Sequence, residues 1–320
     1  MPGPLASLQM RLALASAHAP GHVALEIKDL ATGYATAVNA TANMPAASVI
    51  KIPVMVEVFE QMAEGRFDLN KRVHVEARDR DWGWGDLAGA KSGTPCSVNK
   101  LLRLMITQSD NTATNMLIRL VGRARINSTM HDLGLRSTHL GQDIRSDGNI
   151  RSLRTSPRDM VRLLEAIARD RLIDPWSSRE MLAILVGQRH NGLIPEPLPK
   201  DLQIAHKTGT LHDTLNDVGI VFLADEPYVI AVMTTHLSSL DLGRQFIRGV
   251  SWLAYASFER MAQWRTGAGV HGFTPGTTPS NGTGPVSPDV PMWSAPSGDA
   301  MPSPEPATQP TPEPEETDAP

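Results

Sequence analysis

The chain has 320 residues, room for one large domain or two modest ones. Its 30 basic and 34 acidic side chains leave a net charge of −4, too balanced for a surface built to hold nucleic acid or anionic membrane. No apolar run reaches the ~18 residues of a membrane span, and the single Cys96 excludes an intrachain disulfide and a cysteine metal cluster.

Near the N-terminus, Arg11 followed by Leu12-Ala13-Leu14-Ala15-Ser16 and Ala17-His18-Ala19 imitates a signal peptide with an A-x-A site, but its apolar stretch is short. Leu5, Leu8 and Leu12 share one helical face and predict an amphipathic helix instead. Residues 23–28 and 34–38 alternate as two strands joined through Gly33. The apolar segment 47–63 predicts a buried helix, with Pro53 demanding a kink or a late start. Residues 66–93 show no period and predict loop with short elements. Ser97 is an N-cap for a helix over 98–107. Helices follow over 112–121, 124–133, 157–169 and 177–186, the third opening on Ser156 and Pro157. The period then changes to strands over 202–207, 214–223 and 227–235, and a last amphipathic helix runs over 242–264.

Five strands split by about 150 residues cannot be joined by an ordinary connection. The simplest fold is α/β plus all-α: a five-stranded antiparallel sheet flanked by the terminal helices, with a helical lobe inserted. The predicted division is an α/β lobe over 1–45 and 200–265 and a helical lobe over 46–199. Pockets form between such lobes. Beyond residue 265, 13 of the 25 prolines and 7 of the 34 acids occur without one Lys or Arg. That composition predicts a disordered tail over 266–320. The remaining 265 residues carry 30 basic against 27 acidic side chains, so the folded body is mildly basic.

Three short motifs carry chemistry: Ser48-Val49-Ile50-Lys51, Ser109-Asp110-Asn111 and Lys207-Thr208-Gly209. Ser48 and Lys51 are three apart in an apolar helix, which puts hydroxyl and ammonium on one face. Burial lowers a lysine's pKa and lets it take the serine's proton. A second S-x-x-K, Ser97 to Lys100, reads as a plain helix cap. Ser109-Asp110-Asn111 lies between two helices, where exposed polar groups do chemistry. Ser109 is placed to pass a proton to a leaving amine. Asn111 is placed to donate to a substrate amide carbonyl and to hold Lys51, and Asp110 to cap the next helix or brace the loop. Lys207, Thr208 and Thr210 suit a substrate carboxylate. Gly209 leaves a bare strand edge for a substrate. The N–H groups of Ser48 and Thr210 are candidates for an oxyanion hole. His206 points to the opposite face as a core or second-layer histidine.

These three motifs, in this order, are those of the class A β-lactamases and penicillin-binding proteins, and the chain resembles that superfamily over about residues 5 to 264. More closely, it resembles the class A-related serine hydrolases. Further matches are Ile106 to Asn115, Thr155-Ser156-Pro157-Arg158-Asp159-Met160, and Asn216-Asp217-Val218-Gly219, and the motif spacings of 61 and 98 residues suit the family. The resemblance implies a serine hydrolase acylated at Ser48, with no cofactor or metal, acting on a β-lactam or related amide that carries a carboxylate. It also implies an extracytoplasmic setting. The family's β-lactamases use an Ω-loop glutamate to activate water. The matching stretch here, residues 138–149, has none, and Asp143 and Asp147 are its only carboxylates. Release of the acyl group is therefore expected to be slow, with Asp143 the candidate base. Three alternatives stay open: a D-Ala-D-Ala peptidase, a serine-dependent glutaminase or esterase, and a penicillin-binding sensor that stays acylated.

Overall fold

The computed structural model describes residues 3–83, 85–146, 152–224 and 226–265. One compact unit spans Met1–Gly272; a second, Phe273–Pro320, lies outside the described residues, as does the expected disordered tail. Among the described residues no helix is long and apolar enough to cross a membrane.

The N-terminal segment is helix α1 (Gly3–Ala17), with Leu5, Leu8 and Leu12 buried on its inner face. Strands β1 (His22–Asp29) and β2 (Ala35–Val38) form a hairpin whose turn uses Gly33 at φ 76°. After the short β3 (Met44–Pro45), residues Ala47–Ile50 make one turn of 3₁₀ helix, and α2 (Lys51–Ala63) begins only at Lys51. Pro53 explains the late start. It lies in the first turn of α2, where its missing N–H has no partner inside the helix anyway.

The former loop region contains β4 (Arg72–His74), which pairs with β5 (Pro95–Ser97). Helices α3 (Val98–Thr107), α4 (Asn111–Val121) and α5 (Arg123–Asp132) follow. Ser97 caps α3 by accepting from the Lys100 N–H, as its plain reading required. Then come β6 (His139–Leu140), β7 (Leu153–Thr155), α6 (Pro157–Ala168) and α7 (Pro175–Val186). Strands β8 (Ile204–Thr210), β9 (Leu215–Val221) and β10 (Tyr228–Thr235) lead into α8 (Leu240–Arg265).

The main sheet runs β2-β1-β10-β9-β8, antiparallel throughout. The N-terminal hairpin therefore meets the C-terminal strands through β1 and β10, and everything between is an insertion. Strands β9 and β10 are buried at every position, which requires cover on both faces. One cover is α1 with α8, whose Leu8, Leu12, Ile247 and Phe258 join Leu25, Ile230 and Val232 in the core. The other is α6, which packs against β1, β9 and β10 although it belongs to the inserted stretch. Helix α2 is buried from Lys51 through Phe59, the central rod against which α4, α5 and the 3₁₀ turn pack.

Two contacts pin the 3₁₀ turn to the sheet. Fully buried Asn216 on β9 donates to Pro45 O (2.8 Å) and Ala46 O (3.2 Å), while its own oxygen accepts from Thr234 N (3.1 Å). Asn216→Ala removes three buried hydrogen bonds to backbone groups and should lower stability by about 2–4 kcal/mol, read from urea unfolding midpoints at unchanged slope. The second contact is Gly209. A Cβ there would lie 3.0 Å from Ala46 O and 3.1 Å from Ser48 N. The glycine serves the close approach of β8 to the turn.

Candidate active site

The 3₁₀ turn presents Ser48 half-buried at its surface and passes directly into Lys51, the first residue of α2. In a 3₁₀ turn residues three apart eclipse, so the pair shares a face even though no α-helix runs between them. Ala47, just before the serine, has φ 48°, and Ser109 has φ 61°. Non-glycine residues in this region carry strain, and here they flank the same site.

Lys51 is fully buried, and its three protons are spent away from Ser48. They go to Ser109 O (2.6 Å), Ser109 Oγ (3.1 Å) and Asn111 Oδ1 (2.7 Å). Sequence spacing predicted the Ser48 hydroxyl as its partner. The structure gives it the Ser109-Asp110-Asn111 loop instead, because acceptors converge there and a buried ammonium needs all of them. Lys207, also fully buried, donates to Ser109 Oγ (3.1 Å) and Thr208 O (2.9 Å). The Ser109 hydroxyl is thus held between two buried lysines. Burial, followed by the like charge of Lys207, pushes the Lys51 pKa well below the ordinary lysine range, against the opposing pull of Asp110 and Asp81. Burial lowers Lys207 to about 7, with Asp217 opposing.

Asp110 does both of its expected jobs. Its Oδ1 accepts from Ala113 N and caps α4, and its Oδ2 accepts from Leu87 N and braces the loop, each at 2.8 Å. Asn111 holds Lys51 as expected, but its amide is not turned to the cleft alone. Nδ2 donates to Asp81 Oδ1 (2.9 Å) and Ser146 Oγ (3.4 Å). His206 is buried, as its position on the opposite face predicted. Its Nδ1 meets Asp217 Oδ1 (2.9 Å), and Asp217 Oδ2 accepts from Ile194 N (2.9 Å). Strand β8 runs three residues past its expected end at Lys207, through Thr208 and Gly209 to Thr210, because the motif stays in register with β9 as far as Thr210 opposite Leu215.

Ser48, Ser109, Asn111, Thr208 and Thr210 line one cleft of about 510 Å³. Sequence reading had not placed Arg145, Arg244 and Arg248, or His190 and His212, in the same walls. No Asp or Glu lines this cleft among the described residues, so it favours an anion. Asp143, expected as the base for release, does not line it. Asp143 is half exposed and lies 4.0 Å from Arg123 at the start of α5. Asp147 lies outside the described residues. Besides Asp110, the carboxylate Asp81 reaches this neighbourhood, buried behind Asn111 and Ser146. A larger hollow of about 1240 Å³ runs past His22 and His236 and shares Ser146, Leu211 and His212 with the cleft, but contains none of the three motifs.

The family model described as the beta-lactamase enzyme family matches residues 7–258. Extended-spectrum beta-lactamase PER-1 of Pseudomonas aeruginosa is 27% identical over 215 residues, 61% of this chain and 68% of that one. A solved structure of PBP-A is 31% identical at a TM-score of 0.75, covering 80% of this chain and 97% of its own. A mutant of PBP-A solved as an acyl-enzyme complex with penicillin G has the same identity, coverage and TM-score. A beta-lactamase structure from Sphaerobacter thermophilus is 29% identical at 0.73, covering 79% and 97%.

Proposed function

Because this chain belongs to the beta-lactamase enzyme family, we propose that it opens the amide bond of a β-lactam through an acyl-enzyme at Ser48 and releases the product slowly. The observation that carries this reading is the Ser109 hydroxyl, 3.1 Å from both Lys51 Nζ and Lys207 Nζ. Burial holds Lys51 well below the ordinary lysine range, which suits it in its neutral form to accept the Ser48 proton. Ser48 Oγ attacks the carbonyl carbon, and the N–H groups of Ser48 and Thr210 hold the oxyanion. Ser109 hands a proton to the departing nitrogen and is resupplied by its ammonium neighbours. Thr208, Thr210, Arg244 and Arg248, which line the cleft, hold the substrate carboxylate together with the buried Lys207 behind Ser109 and Thr208. We also propose the two-lobe division of residues 1–265 and a separate tail over 266–320.

Slow release is supported by the cleft lining, which holds no Asp or Glu among the described residues. The acyl-enzyme named for the PBP-A mutant supports the covalent step by similarity. A chromogenic cephalosporin should give a burst of about one product per protein followed by a low steady rate. Intact-protein mass should rise by the mass of the β-lactam and fall back over minutes or longer. Fast sustained turnover would overturn slow release. Neither adduct nor turnover across a panel of β-lactams would overturn the reading and return attention to cell-wall peptides, glutamine and esters.

A further inference from the structure

Asp81 is a buried carboxylate that no sequence motif marks. Its Oδ1 accepts from Ser146 Oγ (2.5 Å), Asn111 Nδ2 (2.9 Å) and Gly83 N (3.0 Å), and its Oδ2 accepts from Ser146 N (2.7 Å). Ser146 itself lines the cleft that holds Ser48 and Ser109. The pair is therefore a carboxylate placed directly behind a cleft hydroxyl. The backbone is cleared for it: a Cβ on Gly83 would lie 1.7 Å from Ser146 Oγ and 2.9 Å from Asp81 Oδ1. Asn111 ties the pair to the acylation machinery, its Oδ1 accepting from Lys51 Nζ while its Nδ2 faces Asp81.

We propose that Ser146 and Asp81 form the proton relay that releases the acyl group from Ser48, an inference that rests on the acyl-enzyme reading above. Water in the cleft adds its oxygen to the acyl carbon, and the carbonyl electron pair moves to the oxyanion. The water proton passes to Ser146 Oγ as the Ser146 proton passes to Asp81 Oδ1. The carbon–oxygen bond to Ser48 then breaks, and the proton returns along the same path to Ser48 Oγ. The products are the free serine and the carboxylic acid, with Asp81 ionised again.

The relay also explains why release is slow. Burial alone would raise the Asp81 pKa, but hydrogen bonds from Ser146, Asn111 and the Gly83 N–H hold it below the ordinary carboxylate range. A carboxylate so well solvated by the protein is a weak base, and base catalysis weakens with it.

The test uses the full chain and one slowly released penicillin, with the acylation rate read from the burst and the release rate from the decay of the adduct mass. Ser146→Ala should slow release at least about tenfold more than it slows acylation, from the usual size of a general-base contribution. Gly83→Ala, which displaces the same hydroxyl from outside the pair, should do likewise. Ser146→Thr, which keeps the hydroxyl, should restore release. Release and acylation falling by one common factor in Ser146→Ala would overturn the relay and leave the pair as a prop for Asn111. An adduct lifetime untouched by Ser146→Ala would overturn the relay alone. A wild-type protein that never carries the adduct would overturn the acyl-enzyme reading, and the relay with it.

Discussion

Ser48→Ala should abolish the β-lactam adduct and lower turnover by at least about 10⁴-fold, the scale on which removal of a catalytic nucleophile acts. The structure makes this a clean test, because the change should not disturb the fold. Ser48 is half-buried at the surface of its turn. The Lys51 ammonium gives its protons to Ser109 and Asn111, so removing the Ser48 hydroxyl leaves no buried charge unpaired. The turn itself is held through backbone carbonyls by Asn216 and by the close approach at Gly209. Stability should therefore stay within about 1 kcal/mol of the wild type. A folded alanine variant that still gains the β-lactam mass, or turns over within tenfold of the wild type, would place the nucleophile elsewhere.

The sheet and the motifs were legible in the sequence because each rests on a local rule. The short Val- and Ile-rich runs that form β9 and β10 carry their own signal, and so does the Leu5, Leu8 and Leu12 stripe of α1. Pro53 announced the late start of α2 because a proline is tolerated only in a first turn. Ser48, Ser109 and Lys207 were found by motif, and the fold brings the two lysines to one hydroxyl. What stayed hidden depends on segments that meet only in three dimensions. Asp81 sits in an aperiodic stretch, and its partner Ser146 lies 65 residues away. Arg244 and Arg248 belong to the helix after the sheet, and nothing near Lys207 in sequence signals that they line its cleft. Asp143 stands out in the sequence only as a carboxylate in the stretch that matches the family's Ω-loop, and that match does not say which way a side chain turns; in the structure it lies half exposed, 4.0 Å from Arg123.

Lys207→Met should make the protein more stable at pH 6.5, flatten the rise of stability with pH, and cripple turnover at the same time. Lys207 is fully buried, and burial lowers it from the ordinary 10.5 to about 7. Between those two values the unfolded chain binds a proton that the folded chain does not. The unfolded state then carries more protons, so wild-type stability must rise as pH rises through this window and level off below about 7. The gap corresponds to at most about 5 kcal/mol, offset in part by the bonds Lys207 makes to Ser109 and Thr208. Methionine fills nearly the same volume without a charge, and replacing a buried ion by an apolar side chain is often stabilising. Asp217 does not become an orphan, since His206 and the Ile194 N–H remain on it. Lys51 shares the same sign of linkage, so some slope should survive in the variant. The measurement is urea unfolding of both proteins at pH 6.5 and 9.5, with kcat/KM on the same β-lactam expected to fall at least about 100-fold through loss of the carboxylate anchor. A variant that is less stable than the wild type at pH 6.5, or that keeps the full wild-type slope, would mean that Lys207 remains charged in the folded protein and that its burial is offset by partners stronger than Ser109 and Thr208.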